Sequence, residues 1–462
     1  MQTVTVTVQK ESMTAKTKAE AISGFPEWLP NERLAEKRMI ATIEKQYELF
    51  GFVPIETPAA ERLEVLTAKG GMQRQIFSLG RPQEDDSNQG LGLHFDLTVP
   101  LARYVVQHSQ KLRFPFRRYQ IQKVWRGERS QKGRFREFYQ CDVDIIGRGA
   151  LDLIHDSEIP CVINSTFEAL ELPDFQIHVS NRKIFRSLLA AFGIPDLQGG
   201  APDERFISVL RAIDKTQRDG IERTGEALAS VGLGTHIIDA IVRLLNTKDL
   251  DVAQQLLESV GANSPGLHEL RSVISGAKAL GMPDKRLVVD FGIARGLDYY
   301  TGTTFETFII GKESWGSICS GGRFDDLASF FTNQKYPGVG ISIGLTRLFD
   351  LLLDSDFLDV SRQTPTQVYV TMQDRAHYLE DYLGLAQTLR NEGIPTEVCL
   401  EPHPLREQLG YAASNNIPLA VIGGGAEFSE NLVRVRDLRL KSEDVVTDAE
   451  FLPHIKRKLE MS

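Results

Sequence analysis

A chain of 462 residues exceeds what one hydrophobic core ordinarily organises, so two or three domains are expected. Apolar residues make up 42% and charged residues 25%, the balance of a soluble globular protein, and no apolar run approaches the roughly 20 residues that cross a bilayer. A net charge of −9 argues against a general nucleic-acid coat.

Residues 1–23 begin polar and rich in Thr and Lys, without the apolar block of a secretory signal, and read as a loosely held tail. Pro30 and Asn31 open a helix in which Ile40, Ile43, Tyr47 and Phe50 recur at helical spacing, and Gly51 closes it. A strand over 52–55 ends at Thr57-Pro58. Residues 76–88 read as a loop, 91–97 as a strand and 99–110 as a helix.

Two strands follow, 119–126 and 136–146, joined by a basic loop carrying Arg129, Lys132, Gly133 and Arg134 as an antiparallel hairpin. In the second strand Tyr139, Cys141, Val143 and Ile145 point one way, while Phe138, Gln140, Asp142 and Asp144 point the other. A mainly apolar face therefore packs inward, and an amide and two carboxylates line its opposite. Helical spacing dominates 182–280 and predicts an insert, at about 185–284, between two parts of one sheet. Strand character returns at 287–291, 303–310 and the Gly-rich 338–344, followed by a helix over 345–353.

Residues 356–366 form a polar linker. Beyond it, strands at 368–371, 396–400 and 419–422 alternate with helices at 378–392 and 405–415, which predicts a separate α/β domain over 367–462 with an at least partly parallel sheet. The fold class expected is α/β overall: an α+β catalytic domain, 24–355, with an antiparallel sheet and helical insertion, then the C-terminal α/β domain. The four cysteines, Cys141, Cys161, Cys319 and Cys399, have no CxxC spacing, which argues against a zinc site or disulfide framework and suits a reducing cytoplasm.

Several clusters carry chemistry. From Lys111 to Arg136 there are ten Lys or Arg residues and one acid, Glu128, so a polyanion can be held at one place on an otherwise acidic chain. Arg126, Arg134 and Arg136 offer guanidinium forks matched to phosphate and carboxylate oxygens. Gln140 and Asp144, four apart on one strand face, could share one small cationic ligand. The segment Arg295-Gly296-Leu297-Asp298-Tyr299-Tyr300-Thr301-Gly302 joins an arginine to paired tyrosines just beyond a strand. Ser320-Gly321-Gly322-Arg323-Phe324-Asp325 is a weaker signal, and so are the glycines of 338–344 ahead of Thr346-Arg347. Neither a Walker loop nor a dinucleotide fingerprint is present.

Together these segments resemble the class II aminoacyl-tRNA synthetases. Residues 31–58 are similar to their first motif, Arg126-Gly127-Glu128 with 134–147 to the second, and 340–347 to the third. The segments 295–306, Gly321 to Asp325 and Phe95-Asp96-Leu97-Thr98-Val99-Pro100 resemble the histidyl members, and the likeness covers nearly all of 24–452. It implies a histidine–tRNA ligase that activates L-histidine with ATP and transfers it to tRNA(His). Arg126 and Arg295 would approach the α-phosphate from opposite sides as the catalytic groups. Glu128, Arg134 and Arg347 would complete the ATP site. Asp96, Leu97, Thr98, Gln140 and Asp144 would surround the amino acid with Arg126 and Arg295, and Tyr299 and Tyr300 would form the imidazole pocket. The resemblance also implies Mg2+ brought with ATP rather than a metal held by protein ligands alone, a cytoplasmic homodimer joined through the first motif, and anticodon binding by 367–462.

A neutral imidazole offers one donor and one acceptor, which a carboxylate and a tyrosine hydroxyl can meet. The reaction asks chiefly for positioning and charge neutralisation. Four features depart from the family pattern: His94 where arginine is usual, Thr346 where glutamate often precedes the arginine, Ser130 in place of a frequent proline, and the stretch Ser23 to Pro30, which lacks the arginine of the usual N-terminal turn. A regulatory paralogue without catalysis is the main rival, and such chains typically lose the Arg295-type segment and the C-terminal domain. A nucleic-acid-binding module would explain the basic hairpin but neither the tyrosines nor the acidic strand face.

Overall fold

The structure, a computed structural model, describes residues 18–68, 73–80, 90–198, 201–293, 300–401 and 403–460. The first helix is Pro30–Leu49, and the Glu32 carboxylate accepts the Leu29 N–H at 2.8 Å to cap its start. Gly51, at φ +75°, turns the chain out of it at little steric cost. Of the apolar stripe foreseen from the spacing, Ile43 and Tyr47 are buried and Ile40 and Phe50 half-buried, and Met39, not foreseen, is buried with them.

Eight strands make the main sheet, in the order Val53–Pro54, Phe116–Trp125, Glu137–Ile146, Gly338–Gly344, Cys319–Phe324, Thr303–Ile309, Phe175–Asn181, Leu287–Val289. Its interior pairings are antiparallel, as expected, but the pairing at each edge is parallel. The hairpin is in continuous register from Phe116 opposite Ile146 to Trp125 opposite Glu137. Cys141, Val143 and Ile145 are fully buried on one face, in one core cluster with residues of the first helix and of Ile154–Ala169. Truncating Ile145 to Ala would ordinarily cost about 2–5 kcal/mol.

The chain leaves the sheet after Phe175–Asn181, runs through helices from Arg182–Ala191 to Pro265–Ala279, and returns as Leu287–Val289 in parallel beside the strand it left. The helical segment thus interrupts one sheet, as the spacing predicted.

Two expectations need correction. The strand over 91–97 is only Leu91–Leu93, since His94 to Leu97 leave the ladder to begin the helix Thr98–His108. The loop over 76–88 contains a short strand, Ser78–Leu79, paired with Leu91 and Gly92, and its remainder from 81 lies outside the described residues.

A five-stranded sheet with its own core forms the C-terminal region, ordered Thr396–Val398, Val368–Val370, Leu419–Ile422, Leu432–Asp437, Ser442–Thr447. The first two pairings are parallel and the others antiparallel. The last two strands and the helix Asp448–Glu460 were missed in the sequence. The linker is held at three consecutive carbonyls: Arg38 Nη2 donates to that of Asp359 at 2.7 Å, Asn31 Nδ2 to that of Val360 at 3.1 Å and Asn416 Nδ2 to that of Ser361 at 2.7 Å.

Candidate functional site

The hairpin, the strand Gly338–Gly344 and the helix Leu345–Asp354 that follows it enclose a cavity of about 300 Å3. Arg126, Glu128, Arg134, Phe138, Gln140 and Arg347 all line it, so residues more than 200 positions apart converge. Arg126 Nε donates to the Phe95 carbonyl at 3.0 Å, and its guanidinium lies 5.1 Å from the centre of the Phe138 ring. Arg347 is fixed by two backbone carbonyls, Gly133 and Ser317, each at 2.9 Å. Glu128 and Arg134 lie 3.7 Å apart at the mouth. Gln140 Nε2 donates to Ser342 Oγ at 2.6 Å on the floor.

Below that floor the polar face of the hairpin is closed rather than solvated. Asp96, Asp142 and Asp144 are each 5% exposed or less, and Arg118 is wholly buried. Asp96 Oδ1 accepts the Val99 N–H at 3.2 Å, capping Thr98–His108. Leu97 is buried where its carbonyl begins that helix, and Thr98 is half-buried beside it. Burial pushes the Asp142 carboxyl up to about 7, against Arg118 and with the neighbouring Asp144. It pushes Asp144 up to about 6 despite Arg118.

Gln140 and Asp144 do share a face, but Asp144 is not open to a ligand in the manner expected. Register sets Arg118 directly opposite it, and Arg118 Nη2 meets its Oδ2 at 2.5 Å. Gly340 must lack a side chain here, since a Cβ would stand 2.1 Å from Asp144 Oδ1. Gly321 is constrained likewise, because its Cβ would lie 2.1 Å from the Gly340 carbonyl. Burial pushes the Tyr300 phenol well up, with the Asp144 and Asp142 charges adding to it. Arg295 and Tyr299 lie outside the described residues.

The segment around Arg323 is a structural clamp. Its guanidinium grips Asp156, with Nη2 2.7 Å from Oδ1 and Nε 3.1 Å from each oxygen, while Thr303 Oγ1 donates to Oδ2 at 2.7 Å. Three of the unusual features have local roles too. Thr346 Oγ1 accepts the Tyr139 N–H at 2.9 Å, Ser130 Oγ lies 3.2 Å from Ser23 Oγ, and His94 Nε2 lies 2.8 Å from the Lys123 carbonyl.

Sequence reading did not single out Arg118, Ser342 or Phe138 as site residues. The hairpin register would have found Arg118, since every second residue of one strand faces its counterpart on the other. A second cavity, about 900 Å3, opens beyond Arg134 and Arg347. There Asp290 accepts from His178 Nδ1 at 2.7 Å, Gln217 Nε2 at 3.0 Å and the Gly292 N–H at 2.8 Å. Among the described residues, no group of three or more His, Cys, Asp or Glu could hold a metal ion, and no helix is long and apolar enough to cross a membrane.

A family model described as histidyl-tRNA synthetase matches residues 24–348, and one described as anticodon binding domain matches 367–458. The chain is 42% identical over 452 residues to the histidine–tRNA ligase of Xanthomonas axonopodis pv. citri, covering 92% of this chain and 93% of the relative. It belongs to the histidyl-tRNA synthetase family.

The histidine–tRNA ligase of Clostridium tetani is 41% identical, with 95% of this chain and 98% of that protein covered. The crystal structure of the histidyl-tRNA synthetase from Nostoc sp. PCC 7120 superposes with a TM-score of 0.86 at 38% identity, covering 96% of this chain and all of that one. As in the family, the reaction is activation of L-histidine by ATP to histidyl-adenylate, then transfer to tRNA(His) with release of AMP and diphosphate. The regulatory and non-catalytic readings are thereby set aside.

Proposed function

We propose that histidyl-adenylate forms across the 300 Å3 cavity, with ATP along its arginine-lined wall and histidine over the acidic floor. The observation that carries this reading is the convergence of Arg126, Gln140 and Arg347, from distant segments, on one cavity, with Arg126 held to the carbonyl of Phe95, the neighbour of buried Asp96. Arg126 holds the α-phosphate and the substrate carboxylate, its guanidinium oriented in advance by the Phe95 carbonyl. Phe138 and Arg347 line the cavity for the adenine ring, and Arg134 reaches the γ-phosphate. Asp96, with Leu97 and Thr98 at the helix start, holds the substrate ammonium. Gln140, Asp144 and Tyr300 bound the ring. Arg295 and Tyr299 complete the site in the roles the family implies.

The histidine carboxylate oxygen attacks the α-phosphorus, the bond to the bridging oxygen breaks, and pyrophosphate leaves in line. Positioning and charge neutralisation by fixed guanidinium groups supply the rate. A hydroxyl of the terminal tRNA ribose then attacks the adenylate carbonyl, and AMP leaves. Mg2+ accompanying ATP would neutralise phosphate charge. Glu128 is the acidic side chain among those lining the cavity, and a carboxylate oxygen suits that hard cation.

In this reading 24–355 is the catalytic domain with its helical insertion, and 367–462 holds the tRNA anticodon. Two copies join in the cytoplasm through the first helix and strand, where Leu49 and Val53 are exposed at 70% and 48%. Histidine-dependent ATP–pyrophosphate exchange tests the site. Arg126→Ala is expected to lower kcat by about 10²–10³ with unchanged thermal stability. Exchange at wild-type rate in that variant would remove the assignment.

A further inference from the structure

We propose that the site takes histidine with both ring nitrogens protonated, and that Asp142 is the carboxylate accepting one of those N–H groups. The inference rests on the placement of histidine over the acidic floor. Asp142 lies on the same strand face as Gln140 and Asp144, between them, and is 2% exposed. Across the sheet it stands opposite Ser342, which lines the cavity and hydrogen-bonds the Asp142 carboxylate. Asp142 is therefore immediately beneath the cavity wall and not remote from it.

Its Oδ1 has no hydrogen-bond partner among the described residues. A buried carboxylate oxygen left in that state is costly, and a ligand donor removes the cost. Asp144 Oδ2 has no hydrogen-bond partner there either, but it has a cation in contact, the buried Arg118 guanidinium at 2.5 Å. Of the two adjacent carboxylates, Asp142 has the acceptor capacity to spare.

Charge leads to the same place. Asp142 and Asp144 share one buried guanidinium, Arg118. With Asp96 assigned to the substrate ammonium, the described cluster of Asp142, Asp144 and Arg118 keeps one negative charge of its own. A neutral imidazole leaves it unmet, and an imidazolium meets it. In the empty site the same shortage appears as carboxyls pushed up to about 7 and about 6, chiefly by burial. A carboxylate at hydrogen-bond distance holds the proton on an imidazole whose ordinary pKa is about 6.5. A substrate analogue with no N–H directed at Asp142 would leave Oδ1 unpaired, so Asp142 also determines specificity.

The test uses histidine labelled with 15N in the ring, bound to the wild-type enzyme near pH 8, where a free ring with a pKa of about 6.5 is neutral. Both bound nitrogens are expected at N–H shifts, and one nitrogen at an unprotonated shift would overturn the proposal. Asp142→Asn is expected to return the ring to the neutral pattern and raise KM for histidine in pyrophosphate exchange roughly tenfold or more, with KM for ATP moved less than about twofold. A KM for histidine within about twofold of wild type would overturn it as well. If this variant does not fold, the wild-type spectrum decides alone. A wild-type enzyme without histidine-dependent exchange would defeat the underlying site assignment instead.

Discussion

Arg118 Nη2 meets Asp144 Oδ2 at 2.5 Å across the hairpin, and the arginine side chain has no exposure to solvent. A buried ion pair adds little over a well-packed apolar pair, but removal of one partner strands the other charge. Arg118→Met is therefore expected to destabilise the protein by about 3–5 kcal/mol, read from urea unfolding. The double variant Arg118→Met, Asp144→Leu should regain only part of that loss, because Asp142 still faces the vacated site. Full recovery would mean that Asp142 does not depend on Arg118.

The same cluster makes stability depend on pH with a defined sign. Burial pushes the Asp142 and Asp144 carboxyls up to about 7 and about 6 in the folded protein, well above the ordinary carboxylate range near 4. The native state thus binds more protons than the unfolded state between about pH 4 and pH 7, and stability falls as pH rises through that window. The contribution is complete below the unfolded pKa and lost above the folded one. Urea midpoints at about pH 5 and pH 8 should drop in the wild type by more than in Asp142→Asn, the difference being of order 1–3 kcal/mol. An equal drop in both proteins would contradict the placement of Asp142 in the buried cluster.

Arg323 is expected to act on folding and not on substrate. It is 7% exposed and bound to an Asp156 that has no exposure, with the Leu151 carbonyl 3.2 Å from Nη1 and the Asp152 carbonyl 3.2 Å from Nη2. Arg323→Leu should cost about 3–5 kcal/mol by leaving the Asp156 carboxylate unmet. Activity per folded molecule, measured by pyrophosphate exchange below the unfolding transition, should change little. A selective rise in KM for histidine would instead place Arg323 in the site.

These tests mark where sequence reasoning was sufficient and where it was not. Period-2 alternation in 136–146 and period-3.6 spacing in 31–50 determine which side chains face the core, and both were legible. Glycines 340 and 321 were visible only as a weak strand signal, since their purpose is close approach of neighbouring backbones and not conformation. The burial of Asp142 and Asp144 was not legible either: alternation puts them on one face, but only the packed sheet closes that face to water. The short strand Ser78–Leu79 was missed because a two-residue pairing leaves no periodicity. The unusual His94 was flagged from the sequence, but its partner lies 29 residues away on another strand.

His94 should act as a positioning residue for the two groups that follow it. It is fully buried, and burial lowers its pKa, so the ring is neutral near pH 7 and Nε2–H donates to the Lys123 carbonyl. Its own backbone N–H donates to the Ala59 carbonyl at 3.0 Å, and its carbonyl accepts the Trp125 N–H at 3.0 Å. The backbone so fixed continues into Phe95, whose carbonyl orients Arg126, and into Asp96. His94→Ala should lower kcat and raise KM for histidine together, at a stability cost of about 1–3 kcal/mol for the carbonyl left unpaired. His94→Gln keeps an amide donor and should recover most of the kcat, which a loss of packing alone would not permit. Equal kcat in the Ala and Gln variants would separate this imidazole from the orientation of Arg126.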